Sequence, residues 1–411
     1  MAIRNLFEKA CRFHIFYITF FVAISQVVVS EGFVKDLFVS NIDSTLNLPA
    51  ILIIAAVLWP ITKLSVEIQA LAFFGLVPCA TNYLIAQNSS ALEAFIISLS
   101  YFLVFLIAYR IAAYIPYLRL HPPMLTTRTA KLATLLSIVV FLCLYASQAS
   151  FNFDLFAFYD SRFEARDASS LVKYSAVSIG SFGIAITLSA KGTNNLVKVA
   201  IALFLASILF LTLGVRNTYF IIAIYILFCA THASKYFIHY IMGFYVFLSS
   251  LVFIFPTTLT GLIASMLIRR TIIVPGYWPE KAVELANNGL LSHNQPLSLQ
   301  AGTYFLEQGH NANMNPFITV HMEHTPLVSV LLTTILGLMF GYIVKMNEPL
   351  KGSVSIGFVL AIIYSSLRFQ SWILSGGLLI SLVYVVLAYR KVPSQNLLSS
   401  SNLNPIDVRK D

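Results

Sequence analysis

Apolar runs of about 20 residues recur from one end of this chain to the other, the length needed to cross a hydrocarbon core roughly 30 Å thick. Little polar surface is left to cover a soluble fold. Only 10% of the 411 residues are charged and 58% are hydrophobic, with a mean hydropathy of +0.82, whereas a soluble domain carries about 25% charged residues. The composition excludes a soluble globular protein and specifies an all-α polytopic membrane protein of about twelve transmembrane helices.

The runs fall at 13–30, 48–62, 66–87, 92–115, 131–150, 173–190, 195–213, 216–231, 236–256, 325–344, 353–368 and 371–389. Residues 1–256 hold the first nine spans, with a short extracytoplasmic loop at 151–172. Residues 257–324 form one large hydrophilic extracytoplasmic loop between the ninth and tenth spans, 325–390 the last three spans, and 391–411 a polar cytoplasmic tail. The first run follows Arg4, Lys9 and Arg12 without a small-residue cleavage site, so it reads as an uncleaved helix. Cys11, Cys79, Cys143 and Cys229 stand at unrelated spacings and form neither a disulfide framework nor a metal motif.

The formal charge of +9 does not make this a nucleic-acid binder, because most basic residues lie in short loops where they orient the chain. With both termini cytoplasmic, Lys9, Arg12, Lys63, Arg110, Lys198 and Lys345 fall on the cytoplasmic side. Arg162, Arg166, Arg216, Arg269, Arg270 and Arg368 fall outside, against the usual bias.

Those arginines are the first candidate site residues. Arginine at membrane depth is costly and calls for an anionic partner, and its planar fork fits phosphate or carboxylate in a bidentate way. Arg162 and Arg166 share an i, i+4 face, and Arg216 has no acidic residue beside it in sequence. Histidines are the second group: of eight, His293, His310, His321 and His324 fall in the long loop. His310 with Asn311 and Asn313 offers a base beside amides suited to sugar hydroxyls, with Glu323 and His324 behind it. His321 and His324 have an H-x-x-H spacing but no visible third ligand, so no metal is assigned. Gly337 and Gly341 form a small-xxx-small helix-packing pattern. No phosphate-binding loop, nucleophile elbow or dinucleotide fingerprint is present.

The plan resembles that of the O-antigen polymerase (Wzy-type) family of oligosaccharide repeat-unit polymerases. The resemblance is carried by many spans with one dominant late loop, by Arg162-Phe163-Glu164-Ala165-Arg166, by Gly214-Val215-Arg216-Asn217, and by Arg269-Arg270 followed by Pro275-Gly276-Tyr277. The segment from Gly309 through Gly341 looks like that family's loop exit. The related O-antigen ligases carry a loop motif that His310-Asn311 begins, but this chain has His321 at its glycine position and His324 at its last position.

The resemblance implies a cofactor-free, metal-independent glycosyltransferase of the bacterial inner membrane, working at the periplasmic face in lipopolysaccharide or related surface-polysaccharide synthesis. Its substrates would be undecaprenyl pyrophosphate-linked oligosaccharides, its surroundings membrane lipids, and a chain-length-regulating co-polymerase its expected partner. Arg216, Arg162, Arg166, Arg269 and Arg270 would meet the pyrophosphate, His310, Glu323 or His324 would serve as base, and Tyr277, Trp278, Tyr304 and Phe305 would stack on sugars. A lipid-linked-glycan flippase or transporter and a ligase-type glycosyltransferase are the alternatives.

Overall fold

A computed structural model describes residues 2–30, 47–115, 135, 138, 170–189, 194–213, 219, 221–226, 237–291, 296–306, 314–346, 356–364, 369–374 and 377–387. All regular structure among them is helical. The elements that position the site are α1 (Ala2–Ser30), α2 (Leu48–Leu58, continued by a 3₁₀ turn Trp59–Lys63), α3 (Val66–Gly75), α4 (Val77–Ala86) and α5 (Ser89–Ala112). Then come α6 (Ser170–Ser189), α7 (Asn195–Leu213), α8 (Phe237–Ile254), α9 (Leu259–Ile268), a π turn (Arg269–Ile273) and α10 (Val274–Asn287). The chain continues with α11 (Leu297–Leu306), α12 (Pro316–Glu323), α13 (Pro326–Met346), α14 (Ile356–Tyr364), α15 (Phe369–Leu374) and α16 (Leu378–Leu387).

Six helical stretches among the described residues are long and apolar enough to cross a membrane: Glu8–Val28, Val66–Ala86, Ser89–Ala112, Phe237–Ile254, Leu259–Asn287 and Pro326–Lys345. The α3–α4 unit is the most enclosed of these, with 94% of its apolar window buried against 39–44% for the others. Their outward surface is apolar: Leu92, Ile96, Leu103, Ile107 and Ile111 of α5 and Leu327, Leu331 and Ile335 of α13 all lie open. Lipid is the solvent that suits such faces.

The helix Leu259–Asn287 departs from expectation. This stretch falls in the segment read as a loop, because Pro275, Pro279 and the Arg269-Arg270 pair are loop signals in a linear reading. All of them nevertheless fall within helix, Pro279 inside α10. Pro275 lies in the first turn of α10, directly after the π turn. The π turn just before it is closed by the Val274 N–H on the Arg269 carbonyl, the wider i→i+5 spacing that marks a π bulge. The rest of 257–324 contains α11 and α12, so the described part of this segment is mostly helix.

That helix is also bent. Near Gly261 it lies against Phe255, and Thr271 accepts from the Tyr245 hydroxyl at 2.7 Å, so α9 runs back along α8. Beyond the π turn, Gly276 packs on Pro78 and Glu280 meets Asn82, so α10 runs along α4 in the same direction. Since α8 in turn runs with α3 and α4 (Ile238 with Gln69, Tyr245 with Phe73), one straight helix could not satisfy both sets of contacts. A π bulge followed by proline is a recognised cause of such a bend.

The α5–α13 pair is the most extensive helix contact among the described residues. The small-xxx-small pattern accounts for it: Gly337 sits against Phe105 and Ala108, Gly341 against Tyr109 and Ala112. A methyl group at Gly341 would come within 2.7 Å of both the Tyr109 carbonyl and the Ala112 Cβ, so only glycine lets the backbones approach this closely. At the end of the pair, Lys345 Nζ donates to the Ala113 and Ile115 carbonyls at 2.6 and 2.8 Å, satisfying acceptors that a helix C-terminus leaves open.

The two ends of the bundle differ in charge. Lys63, stacked 3.8 Å from the Trp59 ring centroid, shares one end with Arg110 and Lys345, because Ser65 bonds Tyr109 there at 3.0 Å. The α1 N-terminus with Lys9 and Arg12 joins them, since Phe13 meets His239 and Phe20 meets Tyr245 along the parallel α8. At the other end stand Glu93, Glu280, Glu284 and Glu323, with Lys281 among them.

Candidate functional site

The polar groups of that acidic end gather where the α4–α5 turn, α10 and α12 meet. Glu280 is the most buried of its carboxylates, at 5% exposure. Its two carboxylate oxygens accept from Asn82 Nδ2 at 2.7 Å and Asn88 Nδ2 at 2.8 Å. Asn88 is also the N-cap of α5, accepting from the Ala91 N–H at 2.8 Å, so the carboxylate sits at a helix N-terminus, where the field favours an anion. Lys281 turns to Glu284 at 2.6 Å and stays 4.0 Å from Glu280. Asn287 donates to Glu93 at 3.1 Å on the exposed rim. Gln87, between α4 and α5, adopts a left-handed backbone with φ 47°, the conformation that ends a helix and costs a non-glycine residue some strain.

A second network lies one layer deeper. Pro78 cannot donate to the carbonyl four residues back, and the helix breaks between α3 and α4. Asn315, buried at the start of α12, bonds beside the break: its Nδ2 donates to the Gly75 carbonyl and, at 3.2 Å, to Ser98 Oγ. Its Oδ1 meanwhile caps α12 by accepting from the Phe317 N–H at 2.8 Å. Phe317 then fills the space beside Gly75 and meets the Phe102 and Phe105 rings edge-on. So α12, only eight residues long and too short to cross a membrane, is pinned against the centre of the bundle. It presents His321 to Tyr101, whose hydroxyl is 3.1 Å from Nδ1. Burial pushes the His321 imidazole below its ordinary value, partly opposed by the Glu93 carboxylate.

The candidate residues from the sequence divide into three groups. Arg162, Arg166, Arg216, His310, Asn311 and Asn313 lie outside the described residues. Arg269, half-buried, and Arg270, exposed, form the π turn at the bend, roughly 15 Å of helix from Glu280 at 1.5 Å per residue. The remaining candidates are near the polar end but differently employed. Tyr277 and Trp278 are buried in a small core with Ala94, Leu297, Met314 and Ile318 rather than displayed on a loop. Tyr304 is exposed beside Phe305. Glu323 Oε1 accepts from the Leu297 N–H at 3.0 Å, tying α12 to the start of α11, and His324 follows at the end of α12. No group of three or more His, Cys, Asp or Glu side chains able to hold a metal gathers among the described residues.

Glu280, Asn82 and Asn88 were not found by sequence reasoning, and Asn315 was seen only as one amide of the run that follows His310. The signal was weak: a lone acid after Tyr277-Trp278-Pro279, and asparagines at the edge of apolar runs. No family model, curated protein or solved structure matches the chain.

Proposed function

We propose that this chain is a membrane glycosyltransferase that polymerises undecaprenyl pyrophosphate-linked oligosaccharide repeat units at the periplasmic face of a bacterial inner membrane. The observation that carries the reading is the charge bias of the bundle: Lys9, Arg12, Lys63, Arg110 and Lys345 outnumber Glu8 and Glu67 at one end, and Glu93, Glu280, Glu284 and Glu323 outnumber Lys281 at the other. Lys and Arg mark the cytoplasmic side of bacterial membrane proteins. The polar cluster then faces the periplasm, where lipid-linked glycans are joined. Sugar hydroxyls are bound by carboxylates and amides, and the Asn82–Glu280–Asn88 cluster is of that kind.

In this reading Arg216, with Arg162 and Arg166, meets the leaving pyrophosphate, whose growing charge preorganised guanidinium groups stabilise. Arg269 and Arg270 stand further along the same bent helix. The flippase reading keeps one observation of its own, the broken α3–α4 unit, since transporters bind substrate at discontinuous helices.

The ladder of surface polysaccharide from a strain lacking the gene separates the two. Polymerase loss leaves the lipid core carrying a single repeat unit. A core bare of repeat units points to the flippase or ligase, and an unchanged ladder contradicts the glycan reading altogether.

A further inference from the structure

We propose that the junction of α4, α5 and α10 is the subsite for the acceptor saccharide, and that the Glu280 carboxylate takes the proton of the attacking sugar hydroxyl. The inference rests on the glycosyl-transfer reading above and adds a substrate and a residue to it.

Two buried atoms carry it. Asn82 and Thr81, adjacent on α4, are 3% and 2% exposed, yet Asn82 Oδ1 and Thr81 Oγ1 have no hydrogen-bond partner. Asn82 spends its amide N–H on Glu280, so its carbonyl oxygen still needs a donor. Buried acceptors are rarely left in that state, and the carboxylate beside it is itself an acceptor. A hydroxyl-bearing ligand supplies the missing donor. Asn82 and Asn88 hold the Glu280 carboxylate in place, while Lys281, 4.0 Å from its Oε1, bonds Glu284 at 2.6 Å.

Access runs through Asn88. That residue is exposed and its amide donates to Glu280 Oε1, with Lys281 Nζ 4.0 Å from the same oxygen, so rotating one amide frees that oxygen for a ligand hydroxyl. The rim formed by Glu93, Glu284 and Asn287 disfavours pyrophosphate, which assigns the site to the sugar of the acceptor and leaves the donor's phosphates to the arginines. In the step, the acceptor O–H bond breaks and its proton passes to Glu280. The hydroxyl oxygen forms a bond to the anomeric carbon, and the bond from that carbon to the pyrophosphate oxygen breaks. The electron pair leaves with undecaprenyl pyrophosphate.

The test uses the purified full chain with undecaprenyl pyrophosphate-linked repeat units, scoring polymer formed against acceptor concentration. Glu280→Gln should lower turnover at least about a hundred-fold, the range of a lost general base, with the protein accumulating normally. Turnover within about three-fold of the parent would overturn the assignment. Thr81→Val removes no hydrogen bond made within the protein, so it tests the subsite without unfolding it. A several-fold rise in acceptor KM with kcat kept supports the subsite. An unchanged KM means the cluster holds only water and ties helices together. If the parent chain itself forms no polymer, the glycosyl-transfer reading falls, and the subsite with it.

Discussion

At the scale of single residues, the chain spends its few polar groups on problems that its own helices create. Asn315 is the clearest case. Its amide nitrogen serves the Gly75 carbonyl at the Pro78 break, and its oxygen caps α12. Asn315→Ala should destabilise the protein by about 1–3 kcal/mol, the cost of a buried polar group left unsatisfied. Thermal unfolding in detergent checks this, and an unmoved midpoint would mean that water replaces the amide. Asn82→Ala strips one of the two donors from the Glu280 carboxylate and should cost about 1.5–3 kcal/mol, because bonds to charged groups are the stronger kind.

His321 gives a prediction in pH. Burial lowers its folded-state affinity for a proton, so the unfolded chain binds that proton more readily and stability rises with pH. The penalty is absent well above the ordinary imidazole value of about 6.5 and grows as pH falls below it. His321→Phe should therefore flatten the unfolding midpoint between about pH 5 and 7. An undiminished slope in that variant would assign the pH response to another group.

At the scale of elements, what sequence reasoning could reach depended on how local the cause was. Apolar length announced α1, α5, α8 and α13, and Gly337 with Gly341 announced the face that meets α5. The helix from Leu259 to Asn287 was hidden because its prolines are tolerated only through the π turn and the bend, and both depend on α4 and α8 lying alongside. Within the spans expected at 353–368 and 371–389 the described residues form α14, α15 and α16, with Gly377 at φ +76° preceding α16. The Glu280 cluster was unreadable for a similar reason: its partners are 198 and 192 residues away in sequence. Gly341→Leu should separate α5 from α13 at a cost of about 1–3 kcal/mol, the range for overpacking. Gly243, which has open space around it, is the control, and equal losses at both positions would argue against a specific α5–α13 contact.

At the scale of the whole molecule, the account turns on the bundle having a basic end and an acidic, amide-rich end. Orientation can be checked directly. A cysteine placed at Asn288 should react with a membrane-impermeant reagent in intact spheroplasts, and one at Lys63 only after lysis. The reverse pattern would put the polar cluster in the cytoplasm and remove it from glycan assembly.

The measurement closest to the central claim is reconstitution of the purified chain in lipid vesicles with undecaprenyl pyrophosphate-linked repeat units and no other enzyme. The account predicts a ladder of lipid-linked products lengthening one repeat at a time, with free undecaprenyl pyrophosphate released in step. Repeat units that cross the bilayer without being joined, or that stay unchanged, would contradict it.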